Sequence, residues 1–301
     1  MPLSLLHRRL IFVTGKGGVG KTTVALALGL AAARSGRRAI VADIHGENEP
    51  HVEFELTPGL FRVSVDPQSA MEEYLSVKVP GPAGHALRQS RLFHAFAMAT
   101  PGMREMLCVG KLWELAQFER RTEDADAYDL VIVDAPASGH GAAILRTPRT
   151  FAEIAKVGPI AHQARTIAQT IADPEFTAVV AVCTPEEMPV NETLELRDTL
   201  AASAEPLALQ AVILNARYPD RFGDSDAALL TAALEHRPAP SRAARAAIAV
   251  ALNEHRRATL QQEQEQRLRG EFGERLLVLP YLFERSMTID ELERLAAELT
   301  A

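Results

Sequence analysis

Residues 15–23 read G-K-G-G-V-G-K-T-T and separate two segments of different periodicity. The apolar run from Leu10 to Val13 predicts a strand, while the residues from Lys21 to about Ser35 have the spacing of a helix. Gly36 then stands where glycine usually ends a helix. A strand, a glycine-rich turn and a helix in this order form an anion site, because backbone N–H groups and the helix N-terminus point at one place. The loop therefore predicts a bound phosphate group.

Two phosphate-binding templates fit the glycines of this loop. Gly15, Gly17 and Gly20 satisfy G-x-G-x-x-G, the dinucleotide-binding turn, and Asp43 ends the next predicted strand about where that fold carries its ribose-binding acid. Residues 15–22 equally satisfy G-x-x-x-x-G-K-[ST], the P-loop that binds a nucleoside triphosphate.

The residues after the third glycine separate the two templates. A dinucleotide turn has no use for a cation and a hydroxyl there, whereas a triphosphate needs Lys21 to neutralise phosphate charge and Thr22 to bind Mg²⁺. We therefore expect a P-loop with Mg²⁺ bound directly by Thr22. The predicted nucleotide-binding residues of the loop are Gly15, Lys16, Gly17, Gly18, Val19, Gly20, Lys21, Thr22 and Thr23.

A second segment supports the triphosphate interpretation. Residues 128–134 read Y-D-L-V-I-V-D, a buried strand that ends in the carboxylate of Asp134. A carboxylate at this position holds the water shell of the nucleotide-bound Mg²⁺ in P-loop enzymes. The mostly small residues that follow, A-P-A-S-G-H, can move and bring a backbone N–H to a γ-phosphate. We expect Asp134 to bind Mg²⁺ through water.

Short apolar runs alternate with helical segments along the chain, which is typical of a mostly parallel sheet. We expect an α/β fold with a doubly wound, mostly parallel sheet flanked by helices, as in P-loop NTPases, in a single domain over residues 1–301. Residues of about 68–122 predict a helical insertion, and residues 224–270 predict charged helices that cover the sheet. Further strands are expected at Ala39–Ala42, Phe61–Val65, Leu130–Val133, Ala178–Val182, Leu209–Leu214 and Leu276–Leu279.

The predicted insertion carries a stripe of large apolar side chains. Met103, Met106 and Leu107 share one helix face, and Trp113 follows seven residues after Met106 on nearly the same face. Two hypotheses stay open for this stripe. It packs against the sheet domain, or it opens on nucleotide binding as an adaptable apolar groove, since Met-rich surfaces suit varied partners.

Composition narrows the class of protein. The 301 residues are 47% hydrophobic and 24% charged, with a net charge of −7, which excludes disordered and fibrous classes and argues against a nucleic-acid partner. Cys108 and Cys183 are too few for a disulfide framework or a Cys-based zinc site within the chain, so we expect both to be buried as small apolar residues.

The longest apolar stretch, Val24 to Ala33, is too short to span a bilayer. We expect a soluble, cytoplasmic protein without direct membrane insertion.

The loop contains a second lysine, Lys16, and K-G-G-V-G-K-T-T resembles the deviant P-loop of the arsenite-pump and guided-entry ATPase family. The segment Asp134 to His140, D-A-P-A-S-G-H, is similar to that family's D-x-A-P-T-G-H switch, and the likeness extends from Leu10 to about Leu292. The resemblance implies an ATPase with ATP and Mg²⁺ as ligands. It also implies a dimer, in which Lys16 reaches the nucleotide of the facing subunit.

The same resemblance assigns roles to three residues outside the loop. Asp43 falls where the family carries an aspartate that orients the attacking water, and Asn215 matches the asparagine that reads the adenine edge. Glu192 looks like a glutamate that contacts nucleotide. The chain departs from the family pattern after Asp43, where residues 44–47 read I-H-G-E in place of a D-P-A continuation. It also lacks the family's zinc-binding C-x-x-C and its three-cysteine metalloid site.

This resemblance predicts a dimeric ATPase whose catalytic residues are Lys16, Lys21 and Asp43. ATP binding would close two subunits on each other, with a second copy or a paralogous ATPase as the facing subunit and a hydrophobic or membrane protein as the client. Two alternatives stay open. The first alternative is a nucleotide-gated scaffold or regulatory subunit with little turnover, because the segment after Asp43 is altered. The second alternative is an NAD-dependent dehydrogenase, which the dinucleotide-binding template allows.

Overall fold

A computed structural model gives the fold. It describes residues 5–44, 52–79, 81–120, 125–136, 138–155, 159–202, 207–235 and 240–300. Residues 45–51 lie outside the described residues. They include most of residues 44–47, where the sequence departs from the family pattern after Asp43. The side chain of His140 also lies outside them.

Eight strands form one sheet in the order β3-β4-β2-β5-β1-β6-β7-β8. All neighbours pair in parallel except β3, which runs antiparallel to β4 at the edge. The predicted doubly wound α/β fold is confirmed, and all seven predicted strands are present. The strands are β1 (Leu10–Thr14), β2 (Ala39–Ile44), β3 (Phe54–Thr57), β4 (Leu60–Val65), β5 (Leu130–Asp134), β6 (Thr177–Cys183), β7 (Leu209–Arg217) and β8 (Leu276–Pro280).

Helices cover both faces of the sheet. They are α1 (Lys21–Arg34), α2 (Pro67–Lys78), α3 (Pro82–Gln89), α4 (Arg91–Ala99), α5 (Met103–Leu115), α6 (Ser138–Ala155), α7 (Pro159–Ala172), α8 (Glu187–Ala201), α9 (Asp224–Glu235), α10 (Arg242–Phe272) and α11 (Ile289–Glu298). The helices α1 and α11 share one buried cluster with alternate residues of the central strands. The other alternate residues pack against α5, α6, α7 and α8 and the end of α10. The central strands are therefore buried on both faces, as their continuous apolar runs predict.

The first helix lies unusually close to the sheet. A Cβ atom at Gly29 would stand 2.6 Å from Cδ1 of Leu60 and 3.2 Å from Cγ2 of Val41. Glycine at this position therefore lets the middle of α1 approach β2 and β4, and so fixes the helix N-terminus against the sheet edge. Gly36, at φ +81°, ends the helix as predicted.

The four helices α2 to α5 lie between β4 and β5, in the region of the predicted helical insertion. Its stripe divides between two environments. Met106 and Trp113 belong to the main core, which supports the packing hypothesis for that part of the stripe. Leu107 packs instead against a separate small cluster of Met71, Leu75 and Ala97.

The expectation that residues 224–270 cover the sheet is wrong for most of that region. The described residues from 224 to 235 and from 242 to 257 include no buried side chain. Only the second half of α10 packs down, and its buried residues are Ala258, Gln261, Leu268 and Phe272. The reason is local composition, since the first half is rich in alanine and charged residues and has no continuous large apolar face.

Across the residues that the structure describes, no helix combines the length and apolar character needed to cross a membrane.

Candidate nucleotide-binding site

The sheet brings the predicted site residues to one edge. Asp43 pairs with Asp134 in the register of β2 and β5, and Val13 pairs with Asp134 across β5 and β1. Asn215 lies near the carboxyl end of β7. Because ligands of open α/β sheets bind outside the carboxyl ends of the strands, this edge is the candidate site.

Two glycines of the loop are required by close backbone approach. Gly15 has φ +146°, and a Cβ there would stand 2.1 Å from the carbonyl oxygen of Val182 on β6. Gly20 has φ +89°, and its Cβ would stand 2.4 Å from Nδ2 of Asn215. Larger residues would push the loop off the sheet. A Cβ at Gly17 or Gly18 would meet no atom within 4 Å, so this side of the loop is open.

Lys21 lies over the loop that precedes it. Its Nζ donates to the carbonyl oxygen of Lys16 at 3.1 Å. Burial lowers the pKa of Lys21, and the nearby Asp134 partly opposes that shift. An anionic phosphate bound in the loop would stabilise the charged ammonium, which is the role that the sequence predicts.

Thr22 and Asp134, the two predicted Mg²⁺-binding residues, contact each other. Oγ1 of Thr22 donates to Oδ2 of Asp134 at 2.5 Å. Burial raises the pKa of Asp134, and the neighbouring Asp43 raises it further, while the hydrogen bond from Thr22 lowers it. The site thus offers two oxygen donors, a hydroxyl and a carboxylate, and the raised pKa shows that the carboxylate lacks sufficient compensating positive charge. Oxygen donors of this kind suit a hard divalent cation, so they fit Mg²⁺.

Asp43 is buried and paired with a residue that sequence reasoning missed. Its carboxylate Oδ2 accepts from Nε of Arg62, on β4, at 2.5 Å. Only 5% of Asp43 is exposed, and its Oδ1 is buried with no hydrogen-bond partner among the residues that the structure describes. A charged residue inside the apolar strand L-F-R-V-S-V was the signal that could have pointed to Arg62.

Lys16 and Glu192 contact each other. Nζ of Lys16 lies 2.6 Å from Oε1 of Glu192, on α8, and both side chains are 30% exposed. Each was predicted to contact nucleotide, Lys16 that of a facing subunit. In the single chain they form an ion pair at the rim of the loop, and their contacts with nucleotide stay predictions.

The side chain of Asn215 forms a hydrogen bond to the backbone of the glycine-rich loop. Its Nδ2 donates to the carbonyl oxygen of Val19 at 2.9 Å. This bond fixes the turn just before the first residue of α1, so Asn215 has a structural contact that the sequence did not indicate. Recognition of adenine by its amide stays a prediction, as does a ligand contact of Thr23.

The second predicted switch segment begins beside the loop. Ala135 donates its N–H to the carbonyl oxygen of Val13, and α6 starts at Ser138. A Cβ at Gly141 would stand 2.4 Å from Oγ1 of Thr14, so the first turn of α6 is seated closely against the end of β1. This contact places a helix N-terminus at the same edge as the phosphate-binding loop.

Comparison with known proteins agrees with this geometry. A model of the anion-transporting ATPase family matches residues 8–157 and 152–236. The chain belongs to this family. Because the family is one of ATPases, the comparisons favour an ATPase over the NAD-dependent dehydrogenase.

Several known proteins are similar to most of the chain. The chain is 30% identical to ATPase BagA of Mycobacterium tuberculosis over 243 residues, which are 75% of this chain and 70% of the relative. It is 25% identical to the arsenical pump-driving ATPase of Acidiphilium multivorum, over 72% of this chain and 41% of the relative. It is 26% identical to ATPase GET3 of Candida glabrata, over 62% of this chain and 66% of the relative.

Proposed function

We propose that this anion-transporting ATPase family member binds ATP with Mg²⁺, hydrolyses it, and acts as a dimeric switch. The observation that carries the proposal is the convergence of Lys21, Thr22, Asp134 and Asp43 on one edge of the sheet, beside a loop that is open at Gly17 and Gly18. This arrangement supplies phosphate neutralisation, oxygen ligands for a cation and a carboxylate for water. Those are the parts that phosphoryl transfer to water requires.

In the proposed reaction, Lys21 and the N–H groups of the loop hold the β- and γ-phosphates. Thr22 and Asp134 would hold Mg²⁺, directly and through water, and the ion would neutralise charge on the phosphate oxygens. Asp43 accepts a hydrogen bond from the water that attacks the γ-phosphorus. The water oxygen forms the new P–O bond as its proton passes to the carboxylate of Asp43, the bond to the bridging oxygen breaks, and ADP and inorganic phosphate leave.

Dimer formation is proposed from Lys16. It lies at the exposed rim of the loop and is bound to Glu192 rather than directed into its own phosphate site. A facing subunit, either a second copy or a paralogous ATPase, would offer its nucleotide as the alternative partner. ATP binding would then close the two subunits, and hydrolysis would release them.

A hydrophobic or membrane-protein client is proposed for the insertion. A cavity of about 190 Å³ lies between α2, α4, α5 and α7. Its apolar lining includes Met71, Phe93, Met103, Met106 and Leu107. Methionine side chains adapt to varied apolar partners, which supports this assignment. We propose no nucleic-acid partner, in view of the net charge of −7, and a cytoplasmic location without direct membrane insertion.

The ion pair between Asp43 and Arg62 favours one second candidate, a nucleotide-gated scaffold with little turnover. A carboxylate already held by a guanidinium has less freedom to accept a proton from water. The two functions differ in phosphate release and not in nucleotide binding.

Single-turnover hydrolysis beside an ATP-binding titration tests the proposal. We expect the wild type to bind ATP with Mg²⁺ and to release phosphate. Asp43→Asn should keep ATP affinity and lower hydrolysis by about 10²–10⁴-fold, the usual loss when a general base is removed. Tight ATP binding without phosphate release by the wild-type dimer would contradict hydrolysis and support the scaffold.

A further inference from the structure

Arg62 is a charged residue in β4, a strand whose last three residues are buried. We propose that Arg62 is a positioning residue of the hydrolytic reaction, which fixes the carboxylate of Asp43 so that one oxygen faces the attacking water. The inference rests on the proposed hydrolysis of ATP at this edge. It adds a residue that lies outside both the phosphate-binding loop and the switch segments.

The register of the sheet explains why the side chain of Arg62 can contact Asp43. Arg62 pairs with Val41, two residues before Asp43 on β2, while Asp43 itself pairs with Ser64. Side chains that alternate by two lie on one face of a strand, so Arg62 and Asp43 project to the same face. The guanidinium therefore extends along the strand direction toward the carboxyl edge and meets Oδ2 of Asp43 from the sheet side, at 2.5 Å.

Charge balance explains why a guanidinium is needed there. Asp43 and Asp134 are register partners on adjacent parallel strands, so two carboxyl groups lie side by side at the edge. Asp43 is only 5% exposed, and a buried carboxylate without a partner is costly. Lys21 and Thr22 face Asp134 from α1, whereas Arg62 faces Asp43 from β4. Each carboxyl group thus has its own neighbour of favourable charge or hydrogen bonding.

The ion pair also selects which oxygen of Asp43 is available. Arg62 occupies Oδ2, and Oδ1 is buried with no hydrogen-bond partner in the described part of the chain. Buried acceptors are nearly always satisfied, and the ionised carboxylate of Asp134, which contacts the Asp43 side chain, has no proton to donate, so Oδ1 calls for a donor that comes with the ligand. The attacking water is such a donor. Rotation of the carboxylate would break the contact with Nε of Arg62, and the guanidinium therefore opposes misorientation.

The experiment compares steady-state kcat, the Kd for ATP by calorimetry and the midpoint of thermal unfolding in the full chain. We expect Arg62→Gln to lower kcat by roughly 10²-fold, the order of loss that misplacement of a reacting group causes, and to leave the Kd for ATP unchanged. Arg62→Lys should recover part of kcat, because an ammonium can contact the same carboxylate. Arg34→Gln is the matched control, since Arg34 forms an exposed ion pair with Glu293 on α11 and should keep the wild-type kcat.

A double variant distinguishes positioning from a general structural effect. In an Asp43→Asn background, Arg62→Gln should lower kcat no further, because both changes remove the same interaction. If Arg62→Gln does not fold, Arg62→Met, which keeps an unbranched apolar stem in the strand, takes its place with the same expected results.

Several results would overturn the inference. They are a wild-type kcat in Arg62→Gln, a rise in Kd that matches the fall in kcat, and independent losses in the double variant. A higher kcat would also overturn it, because the ion pair would then restrain Asp43 from reacting. A wild type that binds ATP without turnover would contradict the proposed function as well, whereas a wild type that hydrolyses ATP beside an unaffected Arg62→Gln would contradict this inference alone.

Discussion

At the scale of single residues, the two lysines of the loop have different surroundings and therefore different expected roles. Lys21 is partly buried over the loop, whereas Lys16 pairs with Glu192 at the rim. We expect Lys21→Ala to abolish tight ATP binding, because it removes the main phosphate counter-charge. Lys16→Ala should spare binding and impair turnover. Calorimetric ATP titration and phosphate release measure the two effects, and equal loss of ATP binding in both variants would contradict a role for Lys16 across an interface.

Asn215 gives a prediction in which two roles of one amide compete. Because Nδ2 of Asn215 donates to Val19, Asn215→Ala should loosen the loop and weaken binding of ATP and GTP alike. Adenine recognition would instead weaken ATP binding more than GTP binding. Titration of the variant with both nucleotides separates the roles, and unchanged affinity for both would exclude each of them.

Both cysteines are expected to be inert in the folded protein. Burial raises the pKa of Cys108 to about 12, and burial likewise raises the pKa of Cys183 to about 12. The thiolate is the reactive form, so neither should react with a thiol reagent at pH 8 until the chain unfolds. Colorimetric titration with and without denaturant measures this. Prompt reaction in the native state would contradict the burial of these side chains.

Sequence predicted the part of the site that follows from local spacing. The approach of Lys21 and Thr22 to Asp134 follows from a strand, loop and helix of fixed geometry and from the parallel order of β1 and β5. The pairing of Arg62 with Asp43, and of Lys16 with Glu192, could not be predicted in the same way. Those contacts depend on the order of strands and on side-chain reach between elements, and no motif spacing encodes either.

At the scale of elements, buried ion pairs tie the insertion together. Lys111 on α5 contacts Glu73 on α2 at 2.7 Å and Glu114 at 3.0 Å. Glu114 also contacts Arg120 at 2.8 Å, and Arg120 contacts Glu53, just before β3, at 2.7 Å. The network therefore joins two insertion helices to the segment that leads into the edge strand.

We expect Glu114→Gln to lower the free energy of unfolding by about 3–5 kcal/mol at neutral pH, because it leaves buried cations incompletely paired. The matched control, Glu153→Gln, breaks an exposed pair with Arg149 and should cost less than about 1 kcal/mol. Urea unfolding of both variants measures the difference. Equal stability of Glu114→Gln and the wild type would show that the network does not hold the insertion.

The same network predicts a pH dependence. Burial alone would raise the pKa of Glu114, but its hydrogen bonds and charge contacts with Arg120 and Lys111 lower the pKa overall. A carboxyl whose pKa is lower in the folded state stabilises the protein above its unfolded pKa. The stability difference between wild type and Glu114→Gln should therefore shrink as the pH falls below the ordinary glutamate value of 4.5. A difference that persists in acid would contradict this explanation.

The elements show where periodicity succeeds as a guide and where it fails. Apolar runs found the seven parallel strands because burial on both faces leaves an unmistakable pattern. The four-residue strand β3, with the pattern F-E-L-T, is partly exposed and escaped prediction. The spacing of residues 224–270 predicted helices correctly, but it could not show that α9 and the first half of α10 stand away from the sheet.

At the scale of the whole molecule, helix α5 of the insertion shares one buried core with the central strands that end at the candidate site. Trp113 on α5 is buried, and its Nε1 donates to Oγ1 of Thr170 on α7 at 3.0 Å. The cavity lies beside the same helix, where Met103, Met106 and Leu107 line it. Movement of α5 on closure of a dimer would therefore change both the surroundings of Trp113 and the width of the cavity.

This coupling gives the last prediction. The Asp43→Asn variant, saturated with ATP and Mg²⁺, should sediment at twice the mass of the chain, and it should sediment as a single chain without nucleotide. If the cavity opens on closure, Trp113 fluorescence and binding of a hydrophobic dye will change with the same ATP dependence. The control is Lys21→Ala, in which ATP should cause neither dimer formation nor a change in signal. A confirmed dimer with both signals unchanged would contradict the client groove, since the stripe would then serve only to pack the insertion against the sheet.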